Sequence, residues 1–165
     1  MAPAPAQQRS RRYAVAAATL LATSGLAACG ITIPADPDGT LDHIHGAEIR
    51  AGYVAEPGLI EAGNPNPVGP LADLITDYAE TEGASVDWTM ASEETLTNAL
   101  DRGTIDIAVG GFTDKTPWTD LASVSRAFTT AEHPTAPPRH VALVPLGENA
   151  FLTSFETFLD EEGLT

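Results

Sequence analysis

The stretch LDRGTIDIAVGGFTDKTPW, residues 100–118, decides the fold. Leu100 continues an apolar helical stripe that starts at Leu96, and Gly103 suits the end of that helix. Ile105, Ile107 and Val109 then recur at every second position, the period of a strand. Gly110-Gly111 closes the strand and opens a loop with Thr113, Thr116 and Trp118. Helix, strand and Gly-rich turn in that order is the unit from which α/β sheets are built, and such sheets take ligands beyond the carboxyl ends of their strands.

Reading outward, the same grammar repeats. Ile49, Ala51 and Tyr53 alternate with Arg50 and Gly52 as a first strand. Residues 55–69 hold three Pro and three Gly and read as a long loop, a length that suggests function. Leu71, Leu74, Ile75 and Tyr78 form one face of a helix over 70–81, with Pro70 in its first turn and Gly83 at its end. Val86 and Trp88 mark a second strand. Ser92 is placed to cap the following helix, and Glu93 and Glu94 sit at its positive end. Residues 112–138 are mostly irregular, with a short extended piece at Val124–Thr129. Val141, Leu143 and Val144 make a last strand, and residues 148–160 a last helix with Phe151, Phe155, Phe158 and Leu159 on one face. The expected fold is α/β, a largely parallel sheet flanked by helices.

The N-terminus carries an address. Arg9, Arg11 and Arg12 precede the apolar run YAVAAATLLATSGLAA, residues 13–28, and Cys29 follows it directly. The run falls short of the ~20 residues that span a bilayer, so it reads as a signal peptide, not a retained helix. Cys29 is the chain's one cysteine and the expected lipidation site. Ser10-Arg11-Arg12-Tyr13 is a weak twin-arginine pattern, and export by the general route fits equally well. Residues 29–47 are rich in Pro, Gly and Asp without a sustained period and read as a tether. The domain then runs from 48 to 165, and the expected location is the extracytoplasmic face of the cell membrane.

Charge excludes some partners. Once residues 1–28 leave, Arg50, Arg102, Lys115, Arg126 and Arg139 face all 23 acids. Nucleic acid and anionic lipid surfaces would be repelled. No D-x-D-x-D-G calcium loop, G-x-S-x-G elbow, H-E-x-x-H or phosphate loop occurs, so neither a metal, a cofactor nor an enzymatic role is expected. His43, His45, His133 and His140 read as surface histidines.

Glu48–Thr130 resembles the first lobe of bacterial extracellular solute-binding proteins of family 3, with the periplasmic-binding-protein-like type II fold. The residues that carry the resemblance are Gly69-Pro70-Leu71-Ala72-Asp73-Leu74, Leu100–Ile107, Gly110-Gly111-Phe112-Thr113 and Thr116-Pro117. Residues 34–41, PADPDGTL, resemble the tether of actinobacterial lipoproteins of that group. His140–Pro145, Gly147-Glu148-Asn149 and the Phe-rich helix resemble the segment that returns to the first lobe. Only residues 131–139 stand where a second lobe belongs, so a single-lobe version is expected. The resemblance implies a lipid-anchored module that binds a small-molecule solute and works with a membrane transport permease. A surface lipoprotein that docks a membrane partner, and a degenerate remnant, remain alternatives.

The candidate ligand-binding residues are Gly110, Gly111, Thr113, Thr116, Trp118 and Ser125. The glycines let backbone approach a ligand, the threonines offer hydroxyls and Trp118 a flat apolar face. Ser125 matches a hydroxyl of the family segment before the crossover. Amino-acid binders of the family place an arginine in a Thr-Pro-x-Arg motif; Thr119 stands there in this chain.

Overall fold

Three parallel strands form one side of the sheet: β1 (Glu48–Tyr53), β2 (Ser85–Met90) and β3 (Ile107–Val109), with β1 between the other two. β5 (Leu143–Val144) pairs antiparallel with β3, and β4 (Ser123–Val124) antiparallel with β5, giving the order β2-β1-β3-β5-β4. The helices are α1 (Thr40–Ile44), α2 (Pro70–Thr81), α3 (Glu93–Asp101) and α4 (Asn149–Glu161). The structure is a computed structural model and describes residues 36–130 and 140–165. The signal segment 1–28, Cys29 and residues 131–139 lie outside the described residues.

The elements form where their side chains demand. α2 starts at Pro70, whose fixed φ suits the first helical position, and Gly83 follows its end at φ +67°. The α3 cap is Ser92, whose hydroxyl accepts from Thr95 N at 3.3 Å. α2 and α4 bury their stripes on one face of the sheet with Ile49, Ala51 and Ile107. There Tyr78 meets Phe151, Phe155 and Phe158 with ring centroids 5.2–6.1 Å apart. Each fully buried side chain of this kind contributes roughly 1.5–3 kcal/mol by burial. α3 covers the other face through Leu96 and Leu100, packed with Ile105, Ala108, Phe112, Val141 and Leu143.

Two expectations change. Ile105 is buried but precedes the strand, which begins at Ile107. The tether expected over 29–47 is, from Asp36 onward, part of the domain. Ile44 is fully buried in the core, and Asp36 accepts hydrogen bonds from Leu41 N at 2.7 Å and Phe151 N at 3.1 Å. Glu148 accepts from Asp38 N and Thr40 N, each at 2.9 Å. The segment is held by carboxylates that capture backbone donors, which need no hydrophobic period to work.

The chain on the two sides of residues 131–139 is brought together. Phe128 and His140 pair there, Phe128 N donating to His140 O at 2.8 Å and His140 N returning to Phe128 O at 3.1 Å.

Candidate functional site

The parallel strands point their carboxyl ends at one pole of the fold. β1 runs out through Val54 to Glu56, β2 through Ala91 to Ser92 and α3, and β3 into Gly110. Val54 N donates to Val109 O at 3.0 Å, which holds the β1 and β3 ends side by side.

Gly110 is required where it stands. Its φ is +153°, and a Cβ there would lie 3.0 Å from both Cβ and O of Val54. Gly111 is exposed beneath the Glu56 side chain; a Cβ there would come 3.3 Å from Glu56 Oε2. Phe112 then turns inward and is buried, as expected of a core residue, and its carbonyl accepts from Val141 N at 3.1 Å.

Residues 113–118 form a tight polar loop. Thr116 N donates to Thr113 O at 2.9 Å, and Lys115 N to Thr113 Oγ1 at 3.3 Å. The Thr116 hydroxyl oxygen is buried and meets no hydrogen-bond partner in the structure. A buried polar atom in that state is rare and costs roughly 1–3 kcal/mol. Trp118 lies half-buried against the α3-side core, and its Nε1 donates to Glu93 Oε2 at 3.0 Å.

Gly110, Gly111, Thr113, Thr116 and Trp118 thus lie on one continuous loop at the strand-end pole. Ser125 does not join them as an open hydroxyl. It is buried, donates to Arg126 O at 2.9 Å and accepts from Ala142 N at 2.9 Å. Its oxygen is occupied in tying the chain after β4 to the chain before β5.

Glu56 and Glu93 were not among the expected site residues. In the sequence Glu93 reads as a dipole partner of its helix and Glu56 as one residue of a loop. Nothing local signals that Trp118, 25 positions on, reaches Glu93.

Two hollows lie elsewhere. A groove of about 580 Å³ runs between α2 and α4, lined by Leu41, Thr81, Glu82, Ala150, Ser154 and Phe158. Its polar rim is internally satisfied: Tyr78 Oη pairs with Ser154 Oγ at 3.1 Å, and Ser154 Oγ with Glu82 at 2.6 Å. Burial pushes the Tyr78 hydroxyl far above its ordinary range.

At the pole opposite the strand ends is a polar hollow of about 350 Å³, lined by His43, Arg50, Asp101, Arg102 and Asp106 among others. Asp106 is buried and receives Arg50 N at 2.8 Å and Arg50 Nε at 3.1 Å, with His43 Nε2 3.3 Å away. Its hydrogen bonds raise the Arg50 guanidinium above its usual value. That hollow is built around a closed ion pair, whereas the strand-end loop leaves groups unused. Among the described residues no group of three or more His, Cys, Asp or Glu side chains is arranged to hold a metal, and no helix is long and apolar enough to cross a membrane.

No protein-family model matches the chain, and no curated protein does. Solved structures do. A point mutant of the arginine-bound form of domain 1 from TmArgBP aligns with a TM-score of 0.64 at 20% identity, over 74% of this chain and 97% of that one. Arginine-bound truncated ArgBP from T. maritima aligns at 0.63 and 12% identity, over 73% and 99%. An ancestral cyclohexadienyl dehydratase aligns at 0.61 and 14% identity, over 73% and 89%, so the fold also serves an enzyme. The chain has the fold of a single lobe of a periplasmic binding protein.

Proposed function

We propose that this protein is a lipid-anchored, extracytoplasmic solute-binding module that works as one lobe and does no chemistry on its ligand. The observation that carries the reading is the Gly110–Trp118 loop: a strand-end turn with a buried, unpartnered Thr116 hydroxyl and an aromatic face, on a fold whose strand ends are where ligands sit. The similar structure of the arginine-bound form of domain 1 from TmArgBP supports the idea that one lobe can hold a solute. Without a second lobe the ligand is incompletely enclosed, so affinity is modest. Membrane attachment through lipid on Cys29 supplies the location, and two acyl chains at ~0.8 kcal/mol per buried CH₂ make it stable. A transport permease is the partner this reading implies.

The test is a thermal-shift screen of the purified protein against amino acids, organic ions, sugars and metals. A ligand present at 100 times its Kd adds about 2.7 kcal/mol of stability. No shift with any class would end the solute-binding reading. Cys29→Ala should release the protein from membranes, and retention after signal removal would count against lipidation.

A second reading, docking to a membrane partner without a solute, draws on one observation. Met90, at the carboxyl end of β2, is 57% exposed, an apolar side chain at the same pole.

A further inference from the structure

We propose that β2 is a self-recognition edge: two copies of the chain join by antiparallel pairing of their β2 strands about a two-fold axis at Trp88. This goes beyond the solute-binding reading and does not depend on it. β2 stands at one end of the sheet and pairs only with β1. Ser85 N donates to Ala47 O at 3.0 Å and Ala91 N to Tyr53 O at 3.1 Å, so the odd-numbered residues of the strand turn their backbone groups toward β1. Val86, Trp88 and Met90 turn theirs outward, and among the described residues nothing pairs with them. Folded proteins guard such an edge with a short strand, a proline, a lysine or a bulge. The opposite edge, β4, is only two residues long. β2 is six residues in unbroken register, with no proline, lysine or bulge.

The strand's own pattern fits a second copy. In an antiparallel junction outward-facing residues pair with outward-facing residues, and each such pair exchanges two hydrogen bonds. A two-fold at Trp88 sets Val86 opposite Met90, Trp88 opposite Trp88 and Met90 opposite Val86, which uses every outward group of the strand. A slip of one residue faces outward groups with inward ones, and a slip of two loses a pair. The side chains agree with this register. Val86 and Trp88 are half-buried against the α2-side core, and exposed Met90 shares their face by alternation. Across the junction they make one apolar row with an aromatic pair at its centre, and Val86 of the second copy covers Met90. On the other face Asp87, the strand's one charged residue, falls opposite Thr89, whose hydroxyl can donate to it. The slip that would set Asp87 against Asp87 is one of those that loses a pair.

One strand pair is a small interface, so the dimer is weak and concentration-dependent. Sedimentation equilibrium of the purified protein should show a monomer–dimer equilibrium with a Kd of about 10–500 µM. The chain is acidic, and α2, which packs on β2, exposes Asp73, Asp77 and Glu80, so added salt should tighten the dimer by screening. Met90→Pro removes an outward N–H and leaves the bonds to β1 intact. It should weaken the dimer by at least about tenfold with an unchanged monomer melting curve. With Cys29→Ala in both chains, Asp87→Cys copies mixed with Thr89→Cys copies should form, on mild oxidation, a disulfide joining one of each, because these positions face each other as a close pair. That cross-link reads the register even where the proline lowers stability. A monomer at every concentration, its edge left to some other extended chain, would overturn the proposal. So would a dimer that Met90→Pro leaves intact, or mixed copies that cross-link no faster than either alone.

Discussion

The buried carboxylate of Glu148 accepts a hydrogen bond from the backbone N–H of Thr40 at 2.9 Å, across 108 positions of sequence, and a second from Asp38 N at 2.9 Å. This clasp joins the entry segment to the start of α4. Burial alone would raise the Glu148 carboxyl, but the donated hydrogen bonds outweigh it and hold the group below its ordinary value. Glu148→Ala leaves two backbone donors without their acceptor and should cost about 2–4 kcal/mol, measured by urea unfolding.

The same clasp predicts a pH dependence. A glutamate with a depressed folded value stabilises the fold above its unfolded value of about 4.3, and that stability is lost as pH falls through the folded value. The melting temperature of the parent should fall on acidification in this range. Glu148→Gln should fall less steeply, and identical slopes would exclude the clasp as a source of acid sensitivity.

Arg50 and Asp106 predict an asymmetry. Asp106 is 1% exposed and the Arg50 side chain 36%, so the arginine is the partner that water can rescue. Arg50→Met takes the guanidinium from a buried carboxylate, leaving it the backbone N–H of residue 50 and His43, and should cost about 3 kcal/mol, the lower end of the range for breaking a buried pair. Asp106→Ala strands only the Arg50 N–H and a half-wet guanidinium. Chemical denaturation should rank Arg50→Met as the more damaging at neutral pH.

Gly110→Ala places a methyl at a φ of +153° and against Val54. It should lower stability by about 1–3 kcal/mol and blunt any ligand-induced thermal shift, because the residue begins the candidate loop. Gly39→Ala is the control, since a Cβ there meets nothing within 4 Å and only its φ of +69° is strained.

Phe155→Ala should be the most damaging of the core truncations. The ring is fully buried and packs edge-on to Tyr78 at 5.2 Å and Phe128 at 6.2 Å. A loss of about 3–5 kcal/mol is expected from calorimetric or urea unfolding.

Much of this fold was legible where local chemistry and tertiary position agree. The stripe Phe151, Phe155, Phe158 and Leu159, the Ser92 cap and the Gly83 and Gly103 terminators all act within one element, and all stand as read. Segment 36–47 was illegible because its restraints are carboxylates far along the chain, Glu148 above all. Site residues were legible by half. Gly110 and Gly111 announce a turn by composition, but the Trp118–Glu93 contact depends on how the loop crosses to α3, which no spacing encodes. Ser125 read as an open hydroxyl because burial at a strand end leaves no mark in a six-residue window.

The entry segment also has a mechanical meaning. Asp36, Asp38 and Thr40 sit with Glu148 at the pole where β1 and β3 begin, and the Gly110–Trp118 loop lies at the pole where they finish. A load applied at Asp36 would fall on the Glu148 clasp and the foot of the sheet, with the full length of the strands between it and the Gly110–Trp118 loop.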